Sequence, residues 1–254
     1  MKRYILLYSL AVLTGLSTGC HRDNYPPPNG GVYGTLYDAN TNAVIPGATG
    51  ASSFAQLQLY QIGYSSIPAQ PIGIDGGFKA DGTYADAQIF NGQYKIMVHG
   101  PFFYMDTTTV NVKGNTLANI KVVPYINVKI SIGPVTDSTI TVTVNALRNT
   151  YADAISPQQI VNVGALLGTT MGLNINNYLV LTYLGNSHTK DYSPFVNTSG
   201  STNAEIGTTN YTFTFANLTP GTTYYVRGAA NVSAGNPNNY YNYSSIVEVT
   251  TKQK

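Results

Sequence analysis

The chain has three histidines, one cysteine, two glutamates and nine aspartates with which to ligate a metal or move a proton. Their spacing argues against both uses. His21, His99 and His188 stand far apart, no His-x-x-x-His pair occurs, and Cys20 alone cannot build a thiolate cluster. No Gly-x-Ser-x-Gly elbow is present to raise a serine nucleophile. Glycoside hydrolysis needs two carboxylates facing one cleft. The only glutamates are Glu205 and Glu248, and most aspartates sit in turn contexts such as Asp75-Gly76 and Asp81-Gly82. The expectation is a protein that is not an enzyme and needs no metal or cofactor.

Recognition chemistry is better represented. Neutral sugars are bound by aromatic faces stacking on C–H-rich rings and by amides bonding to hydroxyls. "GNPNNYYNYS", residues 235–244, concentrates such groups in Asn239, Tyr240, Tyr241, Asn242 and Tyr243. In a sandwich this stretch would be a loop at one tip, where rigid scaffolds usually carry recognition. The plainer alternative is that Tyr243 starts the last strand and packs inward. A second cluster, Phe102, Phe103 and Tyr104, suits core or inter-domain packing. Three adjacent aromatics in a strand cannot share one side, so one of them facing outward would be a protein contact.

Cys20 has a different use. Before it stand Lys2 and Arg3, an apolar run from Tyr4 to Leu16, and the small residues Ser17, Thr18 and Gly19. That is the layout of a secretory signal, too short for a bilayer-spanning helix. "LSTGC" resembles the bacterial lipobox, whose cysteine is acylated and becomes the first residue. Each buried methylene contributes about 0.8 kcal/mol, so several acyl chains hold a protein on a membrane without any helix. After the cysteine, Pro26-Pro27-Pro28 favours an extended, semi-rigid spacer.

Of the 13 basic residues Lys2 and Arg3 fall in the leader, which leaves 11 against 11 acidic. Only 9% of the chain is charged. Without a basic stripe to displace counterions, nucleic acid is not an expected partner. The surface is instead polar and uncharged, with 21 Tyr, 25 Gly and no Trp. The missing Trp weakens any stacking platform, since Trp offers the largest face.

Segments rich in β-branched and aromatic residues, punctuated by Gly, Asn, Asp and Pro, predict an all-β protein of two sandwich domains. "GVYGTLYDA" reads as a strand before a turn, and "FAQLQLYQI" alternates. "DGTYADAQIFNGQYKIMVHG" reads as two strands joined at Asn91-Gly92, a pair suited to a tight hairpin. "TTTVNVKGNTLANIKVVPY" gives two more around Gly114-Asn115. In the second half, "DSTITVTVNA" places Ile140, Val142 and Val144 on one face. A long loop is expected within "GNSHTKDYSPFVNTSGSTN".

The order of these features resembles the transthyretin-like or carboxypeptidase-regulatory-like sandwich. Asp23-Asn24-Tyr25, Gly34 to Thr41, Gly100-Pro101 and Val123-Pro124-Tyr125 together resemble a family of Bacteroidetes lipoproteins. Members tend to accompany SusC/SusD-type outer-membrane importers. In the second half, Leu218-x-Pro220-Gly221-Thr222-x-Tyr224 resembles the tyrosine corner of fibronectin type III domains. Tyr224, Val226, Gly228 and Ala230 would then point inward, with Tyr225 and Arg227 outward. The resemblance implies a signal peptide over 1–19, a tether over 20–29, a transthyretin-like sandwich over 30–124 and a fibronectin-like one over 125–254. It also implies a lipid-anchored, surface-exposed accessory to an importer, capturing neutral oligosaccharide or serving as a structural spacer.

Overall fold

The computed structural model describes residues 26–49, 54–63, 73–103, 107–151, 158–179, 183–184, 194–233 and 239–254. Cys20, Tyr104, residues 185–193 of the predicted long loop and residues 234–238 lie outside them. The regular secondary structure of the described residues is almost entirely strand, arranged as β-sandwiches.

The first half contributes β1 (Gly30–Asp38), β2 (Gln56–Gln61), β3 (Ile74–Gly77), β4 (Thr83–Ile89), β5 (Gly92–His99), β6 (Phe102–Phe103), β7 (Thr108–Val112), β8 (Asn115–Leu117) and β9 (Ile120–Pro124). One sheet runs β4-β1-β9-β6, with β8 also on β1, and the other runs β3-β2-β5-β7. The predicted hairpin at Asn91-Gly92 is a corner instead, since β4 pairs with β1 while β5 pairs with β2 and β7. Asn91 explains the corner. Its Oδ1 accepts from the Gly114 N–H at 2.9 Å and its Nδ2 donates to Asn29 at 3.0 Å, so it ties two sheets rather than closing one ribbon. After β1, Asp38 closes its turn by accepting from the Asn40 N–H and the Thr41 hydroxyl.

The second half contributes β10 (Ile126–Val135), β11 (Ile140–Arg148), β12 (Ile160–Gly168), β13 (Tyr183–Leu184), β14 (Phe195–Asn197), a short helix α1 (Asn203–Thr208), β15 (Tyr211–Phe215), β16 (Thr223–Val232), β17 (Asn242–Tyr243) and β18 (Val247–Thr250). Part of the predicted loop is therefore ordered. Phe195–Asn197 pairs with β12, and α1 starts at a capping box of Thr202 and Glu205. The sheets are β10-β11-β15-β13 and β14-β12-β16-β17, with β18 also on β16. Ile140, Val142 and Val144 are fully buried, as their alternation predicts. Tyr224 is buried, and its hydroxyl accepts from the Thr219 N–H at 3.0 Å, the bond expected of a tyrosine corner.

Two hydrophobic cores meet along strands that are buried on both faces. Consecutive residues of a strand point opposite ways, and here each side has its own core. Phe102 enters the first core and Phe103 the second; Val122 and Val123 divide likewise, as do Leu166 and Leu167, and Ala229 and Ala230. The first core thus extends beyond its own sheets onto the outer face of β12 and β16, where Leu166, Leu173, Ala229 and Tyr243 join it.

Candidate functional site

Arg227 stands on that shared face with 0% of its surface exposed, so its predicted outward position is corrected. The residues that follow it are small. Gly228 follows, and a Cβ there would lie 2.8 Å from the Ile130 side chain and 2.9 Å from that of Val128 on the facing sheet. With Ala229 and Ala230 next, both faces of β16 can be approached closely. Four of the guanidinium's five N–H groups are used. Nη1 donates to Gly47 O at 2.9 Å and Leu173 O at 2.8 Å, while Nε and Nη2 donate to Ser244 O at 3.2 and 2.8 Å. The Tyr243 ring lies 4.2 Å from the guanidinium carbon. Burial pulls the group down to about 10, with Tyr243 opposing, so it stays charged at neutral pH.

This joint accounts for the predicted tip loop. Tyr240, Asn242 and Tyr243 are buried, Tyr241 is half-buried, and only Asn239 is exposed. Asn242 accepts from the Ile126 N–H at 3.1 Å and donates to Pro101 O at 3.2 Å, joining the two halves. Tyr241 packs on Phe195, and Tyr243 on Phe54 of the first core. Their aromatic faces are therefore spent on packing, and the exposed stacking platform is corrected to a domain joint. Phe102 and Phe103 are buried as well, against Phe54 and Tyr125 respectively, so neither is a surface contact.

Beside the joint lies a cleft of about 740 Å³ that the sequence reading missed. Its first wall is the turn before β4. Gly82 N–H donates to Lys79 O at 3.0 Å, and Asp81 Oδ1 accepts from the Thr83 hydroxyl at 2.7 Å and the Thr83 N–H at 3.0 Å. The hydroxyl contact is foremost in lowering the Asp81 carboxyl below its usual value, while Oδ2 keeps its acceptor capacity. Its second wall is the outer face of the second sandwich, where Tyr225 and Glu248 are cross-strand partners. The third is the loop after β12. Asn174 Nδ2 donates to Thr49 O at 3.2 Å and Gly172 O at 3.1 Å, fixing that loop to the first domain. Gly47 packs directly behind the first wall, since a Cβ there would lie 2.3 Å from Lys79 O. Tyr225, Ile246, Pro46 and Met171 give the cleft apolar area, and Lys79, Asp81 and Glu248 give it hydrogen-bonding groups. Such a mixture of flat apolar surface and a few convergent polar groups suits a small ligand. Among the described residues no three His, Cys, Asp or Glu side chains gather as a metal would require.

Residues 31–123 match the model of a family of unknown function, the DUF3823 N-terminal domain. Solved structures cover most of the chain. A DUF3823 family protein from Bacteroides uniformis ATCC 8492 aligns over 88% of this chain and 100% of its own, with a TM-score of 0.70 at 17% identity. A candidate carbohydrate binding protein from the same organism aligns over 88% and 99%, with a TM-score of 0.67 at 19% identity. A DUF3823 family protein from Parabacteroides merdae ATCC 43184 aligns over 88% and 100%, with a TM-score of 0.57 at 23% identity. No curated protein matches the chain. Residues 31–123 are thus similar to the DUF3823 N-terminal domain, and the chain as a whole is similar in fold to solved members of that family.

Proposed function

We propose that the protein is a non-enzymatic lipoprotein, held at the outer membrane by acylated Cys20, that captures neutral carbohydrate beside a SusC/SusD-type importer. The observation that carries this reading is the inter-domain cleft, in which Tyr225 offers a ring beside the Glu248 and Asp81 carboxylates. A pyranose has the matching chemistry: an apolar C–H face and a rim of hydroxyls. The similarity in fold to a candidate carbohydrate binding protein supports it. Binding is favoured over hydrolysis because Asp81 is held ionised within its own turn. That suits a hydroxyl acceptor, whereas a general acid needs a raised value.

The test is affinity electrophoresis of the Cys20→Ala protein, expressed without its first nineteen residues, through gels containing neutral polysaccharides. Retardation that Glu248→Gln and Tyr225→Ala abolish, without new reducing ends on incubation, is the expected result. Retardation unaffected by both substitutions removes the cleft from the reading.

A second reading, an assembly subunit of the importer without its own ligand, draws on Tyr33 and Leu117. They are register partners on adjacent strands, and both are exposed. Co-purification with an importer that is lost in Tyr33→Glu would favour it.

A further inference from the structure

A second depression of about 430 Å³ adjoins the cleft. Val44, Pro46 and Ser245 line both. Val44 and Ser245 are exposed and Pro46 is half-buried, so the two hollows share a solvent-facing sill. The far hollow is walled by the second sandwich, with Asn127 and Lys129 of β10 and Leu147 of β11, and by Thr41 of the first domain. Leu147 is 55% exposed and gives this hollow an apolar side chain open to solvent. Asp38 also lines it, but both of its carboxylate oxygens already accept bonds within its turn. Thr41 is engaged likewise, its hydroxyl donating to Asp38 and accepting from the Ala43 N–H, which leaves Lys129 and Asn127 for a ligand there.

The joint is therefore a trough with charged and amide groups toward both ends and Val44, Pro46 and Ser245 between them. Lys79, Asp81 and Glu248 stand at one end, and Asn127 and Lys129 at the other. A compact ligand would be served by the larger hollow alone, which already falls within the ~300–1,000 Å³ range of ordinary small-molecule sites. Resting on the carbohydrate reading above, we propose that the trough binds a linear oligosaccharide lying across the Val44–Pro46 sill, with sugar units in both hollows. Once the first units are seated, the rest reach the far hollow from the same molecule. Their binding is then intramolecular and multiplies the affinity. The arrangement needs the two domains held in one relative position. Arg227, Asn242 and Asn174 supply that restraint through their bonds to Gly47, Pro101 and Thr49.

The experiment is calorimetric titration of the full chain, purified in detergent, with size-fractionated oligomers. The probes run from two to eight units and come from α-glucan, β-glucan, xylan, mannan and arabinan. In one of these series affinity should rise at least tenfold between two units and six, then level off. Leu147→Arg and, separately, Lys129→Ala alter exposed side chains of the far hollow. Each should lower the six-unit affinity toward that of two units and leave the two-unit affinity unchanged. Equal affinity for two and six units, or a length dependence that both variants leave intact, overturns the trough while the carbohydrate reading stands. No binding in any series overturns both.

Discussion

Arg227 reaches from the second sandwich to the carbonyl oxygen of Gly47 in the first, 180 residues away in the chain, at 2.9 Å. A cation buried this completely is tolerated because carbonyl oxygens and the Tyr243 ring replace its water. Arg227→Met should destabilise the protein by about 3 kcal/mol, since it leaves the Gly47, Leu173 and Ser244 carbonyls short of partners. Arg227→Lys should recover little, because one ammonium cannot reproduce the planar fork. Urea denaturation checks this, and a loss below about 1 kcal/mol would show that the joint does not depend on the guanidinium.

Tyr243 tests the same joint from the ring side. Tyr243→Ala removes the face under Arg227 and the contact with Phe54, and should cost about 3 kcal/mol. Tyr243→Phe keeps the ring and gives up the long 3.4 Å bond from the Ile175 N–H, so it should cost about 1 kcal/mol or less. Equal losses would mean that the hydroxyl and not the ring matters.

The tyrosine corner makes a separate prediction in the second sandwich. Tyr224→Phe deprives the Thr219 N–H of its acceptor and should lower stability by about 1–2 kcal/mol. An unchanged denaturation midpoint would contradict the role assigned to that bond.

High pH gives a third handle. Burial raises the phenol values of Tyr84 and Tyr243 above the ordinary 10. The folded state therefore holds protons that the unfolded state releases above about pH 10. Their contribution is fully present below that pH and is lost as pH climbs toward the folded values. Spectrophotometric titration should show late phenols in the native protein, Tyr84 and Tyr243 the latest among them, that titrate normally in urea. A single ordinary transition for all tyrosines would contradict the burial.

The anchor is checked by Cys20→Ala, which should move the protein from the membrane to the soluble fraction by removing the acyl chains. Retention after a carbonate wash would exclude Cys20 as the attachment point.

What the sequence disclosed, and what it hid, follows from how far each feature is determined locally. The alternation of Ile140, Val142 and Val144 and the corner from Leu218 to Tyr224 depend on neighbours within a few residues, and both are present in the fold. Arg227 could not be placed that way. Alternation assigns it to the face opposite Tyr224, but whether that face is wet depends on a loop 180 residues earlier. The available signal was the run Gly228-Ala229-Ala230, together with the unbroken apolar stretch Ala165-Leu166-Leu167 on the paired strand. Runs without polar alternation mark strands covered on both sides. The Tyr-Asn cluster misled for the same reason: its composition suits a binding loop and an aromatic joint equally. The cleft was illegible because Asp81, Tyr225 and Glu248 are brought together only by the docking of two sandwiches.

The most direct test of the inter-domain cleft is amide-exchange or chemical-shift mapping of the protein with a retained oligosaccharide. The expected result is protection or shift confined to Lys79–Asp81, Tyr225 and Ser245–Glu248, extending over Val44 toward Leu147 for longer oligomers. Perturbation centred on Tyr33 and Leu117 instead, with the cleft residues unchanged, would contradict the central claim.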